Sequence, residues 1–449
     1  MRKLLALLVL TLPVAAAAET LNLAQAIARA LNTDPRIEER QHFVAAARGL
    51  QEEVDGYGGW FVESNTFLAV SPKTEGGIFK NDACVDGSCE LRNDRFQLNG
   101  LSPWLYIQMS LIKPLYTFGK LESYADSAAA NVRIKDGDVQ LQRNATVLEV
   151  KKAYYGYLAA RDGGLLLGDV AKRVQTAIDL VQGWLDAGEG DVKQSDLYAL
   201  QSGYALVAKY QAQAEALERV ALAGLKVLTG VSLSESLDVA DKRLRPVALP
   251  ELDLDGLQQQ AMEQRPEMGQ LAAGLQARRS LVAANKSGSM PDVYAGVAGM
   301  LSYSPRRYRV DNPYIYDPFN DFGVTPVLGL RWNWNPGVVD GKTSAAEAEL
   351  NALIAKSSFA QKGIPFQVAE QYYQVQGYHE AVQQLEQAGR SARRWMVSSY
   401  TDFEAGLEKA EKIMAAMQAY ALAMSDYFQT TFEYNMHVAR LDNVTGVSR

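Results

Sequence analysis

Cysteine and histidine are nearly missing from this chain of 449 residues. There are two cysteines and three histidines. His42, His379 and His437 are scattered, with no pair at metal-ligand spacing, so no metal site is expected. A P-loop, a glycine-rich dinucleotide fingerprint and a Gly-x-Ser-x-Gly elbow are all absent. No enzyme activity and no cofactor are expected. Basic residues are in deficit, 45 against 52 acids. That balance argues against nucleic acid, which needs a basic surface. Beyond the first residues there is no run of 18 apolar residues, so no transmembrane helix is expected. A membrane role would have to come from strands.

What the start of the chain does contain is a targeting signal. Arg2 and Lys3 precede an apolar core, Leu4 to Leu12, that is too short to span a bilayer as a helix. Ala16-Ala17-Ala18 offers small residues for cleavage, and residues 1–18 are read as a signal peptide. The rival reading is a short membrane anchor. Export permits oxidation of Cys84 and Cys89, and Asp86-Gly87 between them is a turn signal, so a small disulfide stapling one loop is expected.

The chain repeats itself. Leu21, Leu23, Ala30 and Pro35 recur as Leu252, Leu254, Ala261 and Pro266. Pro114, Gly119 and Lys120 recur as Pro336, Gly341 and Lys342, and Tyr154-Tyr155 as Tyr372-Tyr373. Leu225, Thr229 and Gly230 recur as Leu441, Thr445 and Gly446. The order never changes, which indicates tandem duplication of a unit of roughly 220 residues. The repeats are placed at 19–240 and 241–449. Each reads helix, strand, loop, strand, long helix, helix.

Within a repeat the hydrophobic period changes. Both opening helices are interrupted at equivalent places, by Asp34-Pro35 and Arg265-Pro266. Period-two alternation follows, predicting strands at about 60–71 and 97–113, then at about 291–304 and 322–335. The clearest is Pro326, Leu328, Leu330, Trp332 and Trp334 alternating with small or polar residues. One apolar face tipped with aromatics suits a membrane β-barrel; a sheet over a soluble core is the alternative. Proline-free helical pattern then runs from Lys120 to about Asp186, roughly 100 Å at helical rise. Hairpin tips are placed at about 186–192 and 402–408, and Pro365 and Gly163-Gly164 mark a bend or bulge midway.

The expected fold class is α+β and mostly α. Four strands per chain cannot close a barrel, and open sheet edges are excluded from lipid. Two, three or four copies would supply eight, twelve or sixteen strands. A soluble periplasmic coiled-coil structural or adaptor protein is the alternative.

The duplicated motifs, with Pro114-Leu115-Tyr116-Thr117-Phe118-Gly119-Lys120, the Gly190 to Tyr204 run and the two Thr-Gly repeat ends, resemble the TolC family of outer-membrane efflux and secretion channels. The resemblance covers essentially the whole mature chain. It implies a homotrimer with a twelve-stranded transmembrane β-barrel and a long α-helical barrel, in the outer membrane of a Gram-negative bacterium and extending into the periplasm. It implies passive conduction for a tripartite efflux pump or type I secretion system, with a periplasmic adaptor and an inner-membrane transporter as partners and outer-membrane lipid around the barrel.

Candidate sites follow. Asp191, Asp196, Glu408 and Glu411 near the tips are pore or gate candidates, because a ring of carboxylates favours cations. Lysines interleave the second pair, unlike the paired aspartates of some family members. Solvated helix-end charge is the bland alternative for each. Gly188, Gly190, Gly406 and Leu407 are adaptor-docking candidates by resemblance, although glycine at a tip is also plain turn chemistry. Trp104, Trp332 and Trp334 are candidates for an interfacial aromatic girdle, with core packing as the rival.

Overall fold

The computed structural model describes residues 19–73, 100–188, 192–251, 253–307, 314 and 316–447. The signal peptide at 1–18 and the Cys84–Cys89 pair lie outside the described residues. The first half of the chain forms β1 (Glu19–Leu21), α1 (Leu23–Thr33), α2 (Pro35–Gly56), β2 (Phe61–Pro72), β3 (Leu101–Tyr116), α3 (Lys120–Ala187), α4 (Gln194–Leu228) and β4 (Leu237–Val239). The second half forms α5 (Leu254–Gln264), α6 (Pro266–Ser287), β5 (Asp292–Tyr303), β6 (Asp321–Arg331), α7 (Pro336–Glu404) and α8 (Ala410–Thr445). The structure is mostly helical with a four-stranded antiparallel sheet, as the duplicated pattern implies. Strand β3 runs on to Tyr116, whereas β6 stops at Arg331. Among the described residues no helix is long and apolar enough to cross a membrane.

The chain divides into two compact units. The helical unit holds Met1–Phe43, Lys135–Leu271 and Lys356–Arg449; the sheet unit holds Val44–Ile134 and Ala272–Ala355.

In the helical unit the duplication reaches individual hydrogen bonds. Asn22 begins α1 with a reciprocal cap: the Gln25 amide donates to Asn22 Oδ1 at 2.8 Å and the Asn22 amide to Gln25 Oε1 at 3.0 Å. The equivalent Asp253 caps α5 by accepting from the Gly256 amide at 3.0 Å. Ala26 and Ala30 of α1 pack on Val150, Tyr154 and Leu225, while Leu257 and Ala261 of α5 pack with Ile364, Val368 and Leu441. Asp34 and Arg265 are both extended, so each following proline starts a new helix rather than bending one. Pro365, by contrast, sits inside an unbroken α7, and its carbonyl accepts from Gln258 Nε2 at 3.0 Å.

The repeat ends show the same chemistry twice. Thr229 Oγ1 donates to the Leu225 carbonyl at 2.7 Å, and Thr445 Oγ1 to the Leu441 carbonyl at 2.9 Å. Gly230 and Gly446 then take left-handed conformations, with φ of 67° and 80°. The Val231 and Val447 amides reach back to Lys226 and Asp442, completing Schellman turns.

At the helix breaks the geometry is kept but the charge is inverted. In repeat one the buried Asp34 accepts from Arg36 Nη2 at 2.9 Å and Thr146 Oγ1 at 2.6 Å, and Arg36 Nη2 reaches Glu149 Oε2 at 2.7 Å. In repeat two the cation comes first. Arg265 Nη2 donates to Glu267 Oε1 at 2.8 Å, and its Nη1 donates to Gln367 Oε1 at 2.7 Å.

Two predictions test these local arguments. A Cβ at Gly446 would stand 2.7 Å from the Gln264 carbonyl carbon, whereas at Gly406, also left-handed with φ of 71°, it meets nothing within 4 Å. Thermal melting should therefore show Gly406→Ala costing about 1 kcal/mol, the left-handed penalty alone, and Gly446→Ala about 3 kcal/mol. The second concerns acid. Burial would raise the Asp34 carboxyl, but hydrogen bonds from Arg36 and Thr146 outweigh it and hold the group below its ordinary value of 3.8. Its stabilising contribution is therefore present above that value and lost as pH falls through the lower folded value. Asp34→Asn should flatten this step in an acid titration of stability and cost about 2 kcal/mol at neutral pH.

Candidate functional site

The helical hairpins α3–α4 and α7–α8 meet over one apolar cluster. Val170, Val174 and Val181 of α3 pack with Leu197 and Leu200 of α4, Met396 and Phe403 of α7, and Ile413 and Met417 of α8. Trp184 meets Phe403 edge-on at 5.3 Å between ring centroids. Arg173 of α3 lies 5.8 Å over the Tyr400 ring of α7 while its Nε holds Asp169 Oδ2 at 3.1 Å. These cross-hairpin contacts were not foreseen; the only sequence signal was the Asp169–Arg173 spacing of one helical turn.

The tips differ in detail. Gly188 ends α3 with φ of 70°. Gly406 ends α7, with the Gly406 amide donating to the Phe403 carbonyl and the Leu407 amide to the Asp402 carbonyl, both at 2.9 Å. This turn leaves Leu407 79% exposed, a large apolar side chain presented to solvent. Gly190 and Asp191 lie outside the described residues.

The other tip acids are not equivalent. Asp196 Oδ2 accepts from the Lys193 amide at 2.9 Å and is spent on capping α4. Glu408 accepts from Lys412 Nζ at 2.9 Å, and that hydrogen bond holds its carboxyl below the usual range. Glu411 is exposed in the first turn of α8 and has no hydrogen bond or ion pair among the described residues. Of these three, Glu411 is the carboxylate whose side chain is engaged by no hydrogen bond or ion pair among the described residues.

In the sheet unit the strand order is β2-β3-β5-β6, so among the described residues one long edge each of β2 and β6 is unpaired. The register assigns every side chain to a face. Val62, Leu68, Leu105, Ile107, Leu111, Val297, Leu301, Leu328 and Leu330 share one face. Glu63, Asn65, Ser102, Gln108, Ser110, Ala298, Ser302 and Thr325 share the other. The first face is apolar and open: Leu68 is 79% exposed and Leu328 75%. A soluble sheet buries such a face.

The three tryptophans sit in different surroundings. Trp104 has the parity of Ser102 and Tyr106 and lies on the polar face, where its Nε1 donates to Ser302 Oγ at 2.7 Å. Phe67, Tyr106 and Phe319 surround it. Trp332 and Trp334, just past β6, stack on each other at 5.8 Å and are exposed. Near the helix-linked end of the polar face, a cavity of about 360 Å³ is lined by Glu63, Lys120, Tyr294 and Arg331, with Lys120 paired to Asp292. Lys120 stood out in the sequence only as part of the repeated Gly-Lys step.

Residues 257–447 match the family described as outer membrane efflux protein. Over that stretch the chain is similar to outer membrane efflux proteins. Its fold is that of the TolC-type channels. The outer membrane protein VceC from Vibrio cholerae is 13% identical, with a TM-score of 0.74, covering 94% of this chain and 96% of that one. The outer membrane channel CmeC of Campylobacter jejuni is 12% identical, with a TM-score of 0.73 and coverages of 95% and 86%. The MtrE outer membrane channel of Neisseria gonorrhoeae is 14% identical, with a TM-score of 0.71 and coverages of 95% and 89%. No protein of curated function matches the chain.

The different settings of these acids predict a division of effects. Asp196→Ala should cost about 1 kcal/mol of stability in thermal melting, as the loss of a cap does, and leave ion selectivity unchanged. Glu411→Gln should leave melting unchanged and shift the reversal potential of a conducting form away from cations.

Proposed function

We propose that this chain is an outer-membrane exit duct, assembled from three copies and conducting passively what an inner-membrane transporter and periplasmic adaptor deliver. The observation that carries the reading is the sheet. Its strands have 12, 16, 12 and 11 residues, each long enough for a tilted crossing of the hydrocarbon. It has one apolar face, one polar face and two unpaired edges. In lipid those edges must be paired, and pairing β2 of one copy with β6 of the next closes a barrel. Three copies give twelve strands around a polar lumen.

The helical unit supports self-assembly. An open trough of about 1340 Å³ runs along α3, α4 and α8, lined by Gly156, Ala160, Gly163, Leu206, Tyr210 and Leu217. Small residues on one helix beside large exposed apolar ones on the next accept the helices of a neighbouring copy. The tip with Gly406 and exposed Leu407 is the adaptor-docking surface in this reading, and Glu411 is the gate carboxylate. Efflux and type I secretion place the same demands on such a duct. A soluble periplasmic coiled-coil protein would leave the apolar sheet face without a purpose.

The test is the oligomer and its conductance. The mature protein should fractionate with outer membranes as a heat-sensitive oligomer and conduct ions in planar bilayers; a soluble, non-conducting pool would defeat the proposal. The faces give an internal control. Leu328→Arg on the apolar face should destabilise insertion by about 2–4 kcal/mol and abolish the oligomer. Thr325→Arg on the polar face should assemble and alter conductance.

A further inference from the structure

The two free edges of the sheet carry opposite charge. Glu63 stands on β2 and Arg331 ends β6, the two strands that lack a second neighbour among the described residues. The register puts both on the polar face, and both line the cavity at its helix-linked end. Lys120 and Asp292 in that cavity are paired with each other. Glu63 and Arg331 have no such relief. Among the described residues neither charged group has a hydrogen bond or an ion pair, and the Arg331 guanidinium lies 5.6 Å over the Tyr294 ring.

Symmetry restricts how these edges can join. Across one copy, paired residues lead from Phe322 of β6 to Leu301, then to Ile107, then to Thr66 of β2. In a closed barrel the strands tilt, so the ladder climbs by a fixed step at each seam between copies. That step is even, because an odd one would exchange the apolar and polar faces. Residues rise about 3.3 Å along a strand and strands lie about 4.8 Å apart, so in a twelve-stranded barrel of three copies, steps of two, four, six and eight residues tilt the strands by roughly 20°, 35°, 45° and 55°. Outer-membrane barrels tilt by roughly 35–45°, which leaves four and six. A step in the opposite direction would set Arg331 against α2 instead of β2.

The two remaining registers differ in what meets Arg331. A step of four puts it opposite Phe61 and puts Glu63 opposite Gly329, over which the Tyr294 ring already lies. A step of six puts Glu63 directly opposite Arg331. Opposite charges at facing positions stabilise a ladder, and like charges weaken it.

We propose that Glu63 of one copy and Arg331 of the next form an ion pair at each seam, and that this pair selects the six-residue step. The partner these edges fit is a second copy of this chain, in one register. The proposal rests on the duct reading, which supplies the three copies.

The experiment reads the register by cross-linking, in full-length chain carrying Cys84→Ser and Cys89→Ser with Glu63 and Arg331 intact. Leu328→Cys is combined with Thr66→Cys, which it faces at a step of six, or with Ser64→Cys, which it faces at a step of four. All three positions lie on the apolar face, away from the charges. A short bifunctional thiol reagent is applied to outer membranes, and covalent dimers and trimers are counted on a denaturing gel. Thr66→Cys should give about fivefold more cross-linked product than Ser64→Cys, because facing side chains are closer than diagonal ones. Charge reversal then tests the cause. Glu63→Arg and Arg331→Glu should each lose the oligomer at temperatures where the parent keeps it, and the double reversal should restore it. A cross-link that favours Ser64→Cys, or a double reversal no more heat-resistant than the single ones, would overturn the ion pair and leave the duct intact. If neither pair cross-links while the cysteine-free parent is an oligomer, the edges do not join in either register and the proposal falls. If that parent is itself a monomer, the duct reading falls with it.

Discussion

A backbone amide surrounded by hydrocarbon has no water to bond to, and this constraint governs the rest of the molecule. The sheet pairs β2 to β3, β3 to β5 and β5 to β6, and leaves one row of donors and acceptors unpaired on β2 and another on β6. An apolar face with two such edges is not a finished object in lipid. In the proposed duct, self-association, strand length and the division into lipid and lumen faces all follow from completing it. The side-chain alternation then has no freedom: a slip of one residue in any pairing would turn Leu105, Ile107 and Leu111 onto the polar face and Gln108 and Ser110 onto the apolar one.

Duplication solves the helical part of the problem economically. One solution for entering a helix (Asn22 or Asp253), one for breaking it before a proline (Pro35 or Pro266) and one for ending it (Thr229-Gly230 or Thr445-Gly446) are each used twice. The packing beneath is also duplicated, with Val150 and Leu225 in one repeat answered by Val368 and Leu441 in the other. The repeats diverge at one tip and at one connection of the sheet. Leu407 crowns one tip, and the β5–β6 connection, tied across to Ser71 and Pro72, belongs to the second repeat.

Much of this was legible because it is local. The parity of Leu328 and Leu330, the helix breaks at Pro35 and Pro266 and the glycine-ended turns are short-range patterns with short-range causes. Trp104 was legible in the same way: its parity, shared with Ser102 and opposite to Leu105, sets it apart from the apolar face. Asp196 shows a competition the spacing could have raised, since an acid three residues after a helix start is a capping residue before it is a gate. The tie from the β5–β6 connection to β2 was out of reach. Ser71 and Ser304 are separated by 233 positions, and no pattern within either segment names its partner. The same holds for Arg173 over Tyr400, where each residue is unremarkable on its own helix.

The inverted charges at the helix breaks have a consequence for assembly of the chain itself. Two repeats with the same shape are free, in principle, to exchange partners while they fold, α1 docking where α5 belongs. Polarity opposes one such exchange. Arg36 finds a carboxylate at Glu149, but at the equivalent place in the second repeat it would find Gln367, an amide. Swapping α1 into the second repeat would therefore trade a charged pair for a neutral acceptor, a bias toward the native pairing written into one position of each long helix.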